Sequence, residues 1–118
     1  MQRTMLLSKI YGGRLTGTEL YYEGSMAIDE ELMEAAGFLP GEMIHVLNIT
    51  NAQRLVTYAI TAPAGSGTLE LRGAAARLGQ VNDEIIILSY CQMDNEEAKN
   101  HTPTVVRVTE GNKLKKLQ

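Results

Sequence analysis

Apolar and polar residues alternate with a period of two along much of this chain, the mark of strands that bury one face. The runs "TMLLSKI" (4–10) and "RLTGTELYY" (14–22) are two candidates, and Gly12-Gly13 between them reads as a turn. "EMIHVLNI" (42–49) and "RLVTYAIT" (54–61) flank "TNAQ", which predicts a hairpin, and "TLELR" (68–72) and "EIIILSY" (84–90) add two shorter strands. In the second hairpin arm, alternation sets Leu55, Thr57 and Ala59 against Val56, Tyr58 and Ile60, so the neighbours Thr57 and Tyr58 diverge.

One helix is well marked after Asp29. Asp29 is an N-cap, Glu30 and Glu31 suit the positive end of the helix dipole, Leu32 and Ala36 share a face, and Gly37 closes the end. A second short helix is predicted from Asp94, whose spacing to Glu97 makes a capping box. "RGAAARLG" (72–79) is ambiguous, its alanines favouring a helical turn that its glycines keep short. About six short strands with minor helices imply a mainly β fold, a small barrel.

Composition narrows the function classes. With 118 residues the chain makes one domain with one modest core. Its formal net charge is −3, and the one basic cluster lies in the closing "NKLKKLQ", so nucleic acid binding has no electrostatic footprint. Residues 111–118 are expected to be a solvated tail. The start "MQRTMLLSKI" lacks the uninterrupted apolar stretch of a secretory signal, and no run approaches the ~20 apolar residues of a membrane span. Cys91, His45 and His101 have no metal-ligand spacing. A cytoplasmic protein with no metal and no membrane or nucleic-acid partner is the expectation.

The stretch "YYEGSMAID" (21–29) sets Gly24-Ser25 between an aromatic run and what reads as the start of the acidic helix. Glycine followed by serine is an ordinary turn signal. It is also a bond that a serine hydroxyl can attack. "MLLSKI", "YYEGSMAID", "ITNAQRLVTYAI" and "GAAAR", in this order and spacing, resemble the pyruvoyl-dependent aspartate 1-decarboxylase family over roughly residues 1–110.

That resemblance implies a double-psi β-barrel and self-cleavage between Gly24 and Ser25 into a short chain (1–24) and a long one (25–118). Ser25 becomes a pyruvoyl group, with neither pyridoxal phosphate nor metal. Its ketone forms a Schiff base with L-aspartate and acts as an electron sink for loss of carbon dioxide, giving beta-alanine for pantothenate synthesis. It further implies a homotetramer with active sites between subunits, and it leaves an accessory maturation factor open. The turn and cleavage readings are compatible, glycine at 24 being expected because a Cβ would obstruct attack in a crowded backbone.

The matching positions carry the family's roles. Tyr58 corresponds to the proton donor, a task a neutral phenol can perform, and Thr57 to the residue that contacts substrate and hydrogen-bonds the Gly24 carbonyl. Arg54 and Lys9 correspond to the cations that receive substrate carboxylates, Arg through a bidentate fork and Lys as a point charge. Gly73, Ala74 and Ala75 correspond to the substrate-binding segment, and Tyr22 lines the site. Taken singly, each has a plain structural reading, as a strand tyrosine, a strand threonine, surface charges or a tight turn.

Two positions depart from the family pattern, Tyr11 where relatives commonly carry histidine and Arg72 where they carry asparagine. Alternation along "TLELR" puts Arg72 and Glu70 on the face opposite Leu69 and Leu71, which predicts an outward or partly solvated Arg72 that meets Glu70 or solvent. Two alternatives stay open on sequence alone, an unprocessed barrel that binds a small molecule and a pyruvoyl enzyme for another amino acid.

Overall fold

The expected hairpin lies at the middle of a sheet of nine strands. In the computed structural model, which describes residues 1–115, the strands are β1 (Arg3–Arg14), β2 (Gly17–Glu19), β3 (Ser25–Asp29), β4 (Met43–Asn48), β5 (Arg54–Ala62), β6 (Leu69–Arg72), β7 (Glu84–Met93), β8 (Thr104–Thr109) and β9 (Lys113–Leu114). Their order across the sheet is β2-β6-β3-β5-β4-β7-β1-β8-β9. β4 pairs antiparallel with β5 and β7, whereas β3–β5, β1–β8 and β2–β6 are parallel. Parallel neighbours need crossovers, so the chain repeatedly leaves the sheet and returns.

The sheet curls around one core. Ile10, Met26, Ile28, Ile44, Val46, Leu69, Leu71, Ile85 and Ile87 are all buried in a single cluster. β1 and β6 stand five places apart in the strand order, yet Gly13 lies against the Leu69 side chain and the Thr16 N–H donates to the Leu69 carbonyl at 2.8 Å. Curling brings strands far apart in the order onto the same core.

The two helices form as their caps predict. In α1 (Glu30–Ala36) the Asp29 side chain accepts from the Glu31 N–H, Gly37 closes the end, and Leu32, Met33 and Ala36 face the core. In α2 (Asn95–Asn100) the capping box between Asp94 and Glu97 is complete. The ambiguous alanine stretch is a 3-10 turn, Gly73–Leu78.

Three expectations are corrected. Gly12-Gly13 is not a turn: β1 runs through both, with register shifts against β7 at Leu6/Ser8 and Tyr11/Gly13, and Gly12 takes a φ of 91° in the second. Glycine there relieves a bulge instead of reversing the chain. Ser25–Asp29, expected only as the run into the acidic helix, is itself a strand buried at every residue, and α1 follows it directly. Both of its faces are covered, so it has no solvent-facing side. The expected tail from 111 is ordered through 115: Asn112 is buried, and β9 pairs with β8. Residues 116–118 lie outside the described residues.

Candidate active site

β3 positions Ser25 between two neighbours. On one side Ser25 pairs with Arg72 of β6, antiparallel; on the other, the parallel register with β5 begins one residue later, at Met26 opposite Ala59. Ser25 is 1% exposed, and among the described residues its hydroxyl makes one long hydrogen bond, donating to the Glu23 carbonyl at 3.5 Å. Gly24 and Ser25 thus stand at the start of β3, and Thr57 and Tyr58 directly precede Ala59, the first β5 partner of β3.

Gly73 comes close to the same place. It takes a φ of 72°, and a Cβ built on it would sit 2.7 Å from the Gly24 Cα, 2.8 Å from the Tyr22 carbonyl oxygen and 2.9 Å from the Gly24 nitrogen. Only glycine lets the two backbones approach this closely. Beyond its chain neighbours, a Cβ on Gly24 would meet nothing within 4 Å. Crowding against a second stretch of backbone belongs to position 73. Ala74 is exposed and Ala75 half-buried in the turn that follows.

Arg72 lies as its alternation predicts. Its Nε donates to Glu70 Oε1 at 3.1 Å, the two side chains are 23% and 27% exposed, and the guanidinium carbon stands 4.5 Å from the centre of the Tyr22 ring. Tyr21 and Tyr22 are themselves exposed.

Lys9, Arg54 and Tyr58 share a different relation. Residues directly opposite on adjacent strands face the same way. One row across the sheet reads Arg54, Leu47, Ile86, Tyr11, Arg107, and the next reads Val56, His45, Leu88, Lys9, Val105. Tyr58 stands opposite Met43 one row further along. The outer face of the sheet thus carries both cations and the phenol, set among exposed apolar side chains, with Met43 63%, Val56 55% and Val105 48% exposed.

In the strand order β5, β4 and β7 stand between β3, which carries Ser25, and β1, which carries Lys9. Lys9 stands 5.4 Å from the Tyr11 ring centre, with Arg107 at 5.3 Å. Arg107 lies in β8, TVVRVT, whose three valines were a strand signal that the sequence reading passed over.

Two surface clefts, one lined in part by Thr18, Asn51, Arg77 and Asp83 and the other by Arg14, Val81 and Glu110, include none of the residues around Ser25. Among the described residues no group of three or more His, Cys, Asp or Glu side chains could hold a metal ion, and no helix is long and apolar enough to cross a membrane.

A barrel that buries a serine beside a side-chain-free residue, and shows its cations on an open sheet face, has known counterparts. A family model described as Aspartate decarboxylase matches residues 1–115. Aspartate 1-decarboxylase of Caulobacter vibrioides is 53% identical over 116 residues, covering 98% of this chain and 98% of the relative. The proteins of the same name from Thermoanaerobacter pseudethanolicus and Trichormus variabilis are 55% and 53% identical, each covering 96% of this chain and respectively 97% and 89% of the relative. The chain belongs to the aspartate decarboxylase family.

Proposed function

We infer that this protein is a pyruvoyl-dependent aspartate 1-decarboxylase, converting L-aspartate to beta-alanine and carbon dioxide after cutting its own Gly24–Ser25 bond. The observation that carries the reading is the buried Ser25 hydroxyl with one long contact at 3.5 Å, in a chain matched to the family over residues 1–115. A hydroxyl without a strong partner keeps its proton and lone pairs free to react.

Maturation follows from the residues present. The Ser25 Oγ attacks the Gly24 carbonyl carbon, the C–N bond breaks, and an ester replaces the amide. Loss of the α-proton of residue 25 expels the Gly24 carboxylate and leaves a dehydroalanine. Its enamine tautomerises and takes up water, ammonia leaves, and a ketone remains on residue 25. Thr57 is assigned to hydrogen-bond the Gly24 carbonyl during the attack.

The ketone supplies an electrophile that holds the substrate amine and takes up the electrons freed with carbon dioxide. Arg54 and Lys9 receive the carboxylates, the Gly73–Ala75 backbone lies along the substrate, and Tyr58 returns a proton to the former α-carbon. Beta-alanine then serves pantothenate synthesis in the cytoplasm.

Within one chain the strand of Lys9 stands four places from that of Ser25 in the sheet order, and the outer sheet face is apolar and open. This supports a homotetramer in which neighbouring copies cover that face and active sites lie between them. The parallel pairings β1–β8 and β3–β5 accord with the double-psi barrel of the reading.

The test is the intact mass of the denatured protein, followed by turnover. Fragments of 24 and 118 − 24 = 94 residues are expected, the larger with a blocked, ketone-bearing N-terminus, and Ser25→Ala is expected to stay whole. Tyr58→Phe should cleave but turn over aspartate about 100-fold more slowly. A single uncut chain after prolonged warm incubation, alone and with cell extract, would overturn the reading. Normal beta-alanine production by Tyr58→Phe would remove its role as donor.

A further inference from the structure

The segment that ends at the cleaved bond is held from one side. Tyr21–Gly24 is irregular, and among the described residues no backbone hydrogen bond outside the strand ladders involves it. Two features restrain it instead. The backbone of Tyr22–Gly24 rests against Gly73, and the Tyr22 ring lies over the Arg72 guanidinium with 4.5 Å between ring centre and Cζ. Arg72 is at the same time the ladder partner of Ser25.

The guanidinium is itself fixed. Glu70 lies two residues earlier on the same face of β6 and accepts from Arg72 Nε at 3.1 Å. The guanidinium is thus tied through Nε to a carboxylate while its Cζ lies over the Tyr22 ring, two contacts at once that a single ammonium point charge serves less well. Glu70 also balances the charge, so that the clasp brings no net charge to the bond.

We propose that Glu70, Arg72 and Tyr22 form a clasp that sets the Gly24–Ser25 bond in place for self-cleavage, with Arg72 a positioning residue that acts through Tyr22. The inference rests on the reading that this bond is cut. Attack needs the Ser25 Oγ close to the Gly24 carbonyl carbon, and a wandering segment spends less time in that geometry. The clasp works only until the bond breaks, because cleavage separates Gly24 from residue 25. Maturation therefore depends on it and turnover does not.

The experiment follows cleavage over time by intact mass in freshly purified protein. Arg72→Gln and Tyr22→Leu should each cleave about two- to fivefold more slowly, the range expected of an exposed cation–π contact. Tyr22→Phe, which keeps the ring, should cleave at the wild-type rate. The double variant should be no slower than the slower single one, because both break one contact. Once fully cleaved, Arg72→Gln should turn over aspartate like wild type. In uncleavable Ser25→Ala protein, Arg72→Gln should raise the rate of chymotrypsin nicking after Tyr21 and Tyr22 by a similar factor. Wild-type cleavage rates in both single variants, effects that multiply in the double variant, or unchanged nicking in the Ser25→Ala background would each overturn the clasp. A wild-type chain that never cleaves would sink the functional reading, while nicking still decides whether Arg72 holds the segment.

Discussion

Strand β3 carries a buried polar residue at each end, and the two ends are held in opposite ways. Asp29 and Ser25 are each 1% exposed. Asp29 is saturated: Oδ1 accepts from the Glu31 and Gly65 N–H groups at 2.9 and 3.1 Å, and Oδ2 from Gly67 at 2.8 Å. The Gly65–Gly67 loop is backed in turn by Lys113 Nζ donating to the Gly65 carbonyl and by Asn112 Nδ2 donating to that of Gly67. Ser25 has one contact at 3.5 Å, and the segment before it rests on a ring and a glycine. A carboxylate cannot be buried without full partnership. A hydroxyl can, and the one left nearly unpartnered keeps its reactivity. The pinned end gives β3 a fixed frame in which the free end can work.

Removing the pin should have the largest effect. Asp29→Ala takes away a helix cap and leaves the N–H groups of Gly65 and Gly67 without an acceptor, so a loss of about 3 kcal/mol is expected in urea unfolding of the Ser25→Ala background. Asp29→Asn keeps the shape and one acceptor oxygen and should lose about half as much. A loss below about 1 kcal/mol for Asp29→Ala would mean that the loop, not the carboxylate, holds this end.

The same carboxylate gives the comparison a pH dependence. Burial by itself would raise its pKa, but the N–H groups of Gly67, Glu31 and Gly65 and the charge of Lys113 outweigh burial and hold it below the ordinary value. A pKa lower in the folded than in the unfolded chain contributes stability above the unfolded value of about 3.9, and that contribution fades as pH falls through the folded one. Between pH 7 and 5 the wild-type advantage over Asp29→Asn should hold constant, and below about pH 4 it should shrink. An advantage unchanged down to pH 2 would count against this origin.

Gly73→Ala tests the free end and should cost less in folding. The left-handed backbone disfavours alanine by about 1 kcal/mol, and the new Cβ, 2.7 Å from the Gly24 Cα, must push the Tyr22–Gly24 segment aside. That segment can give way, so the fold should survive while cleavage slows more than about tenfold, because a small misplacement of reacting groups is costly. Intact mass over time, with urea unfolding as the control for stability, separates the two effects. Cleavage at the wild-type rate would show that contact with Gly73 does not place the bond.

The sequence announced these two ends unequally. Asp29 was legible as a cap, since Asp before Glu-Glu and a 3.6-residue apolar spacing is a local signal, but its bonds to Gly65 and Gly67 span 36 and 38 residues and left no local trace. Gly24–Ser25 was legible only through the family resemblance, for Gly-Ser by itself reads as a turn and the five-residue strand it opens is buried on both faces. The outward face of Arg72 and Glu70 followed from the two-residue period, whereas the ring that completes their contact comes from a loop 50 residues earlier. The ordered 111–115 segment was misread because lysines dominate its composition, while the single buried side chain that anchors it, Asn112, is polar and makes three hydrogen bonds to Arg14 and Gly67. Local periodicity recovers faces and caps; it does not recover which distant backbone a side chain will serve.

The smallest effect is expected at Gly24, where composition suggests the opposite. Glycine beside a reacting serine invites the expectation that no larger residue fits. Yet a Cβ on Gly24 would meet nothing within 4 Å, and its φ lies outside the range that alanine resists. Where alanine adopts the native backbone without strain, it stabilises by about 0.4–1 kcal/mol, chiefly by reducing the freedom of the unfolded chain. Gly24→Ala in the Ser25→Ala background should therefore be as stable as its parent or slightly more so in urea unfolding. Set beside Gly73→Ala, it separates two glycines that touch, one needed for space and left-handed backbone and the other for neither. A loss above about 1 kcal/mol for Gly24→Ala would show that the free end of β3 is tighter than its contacts imply.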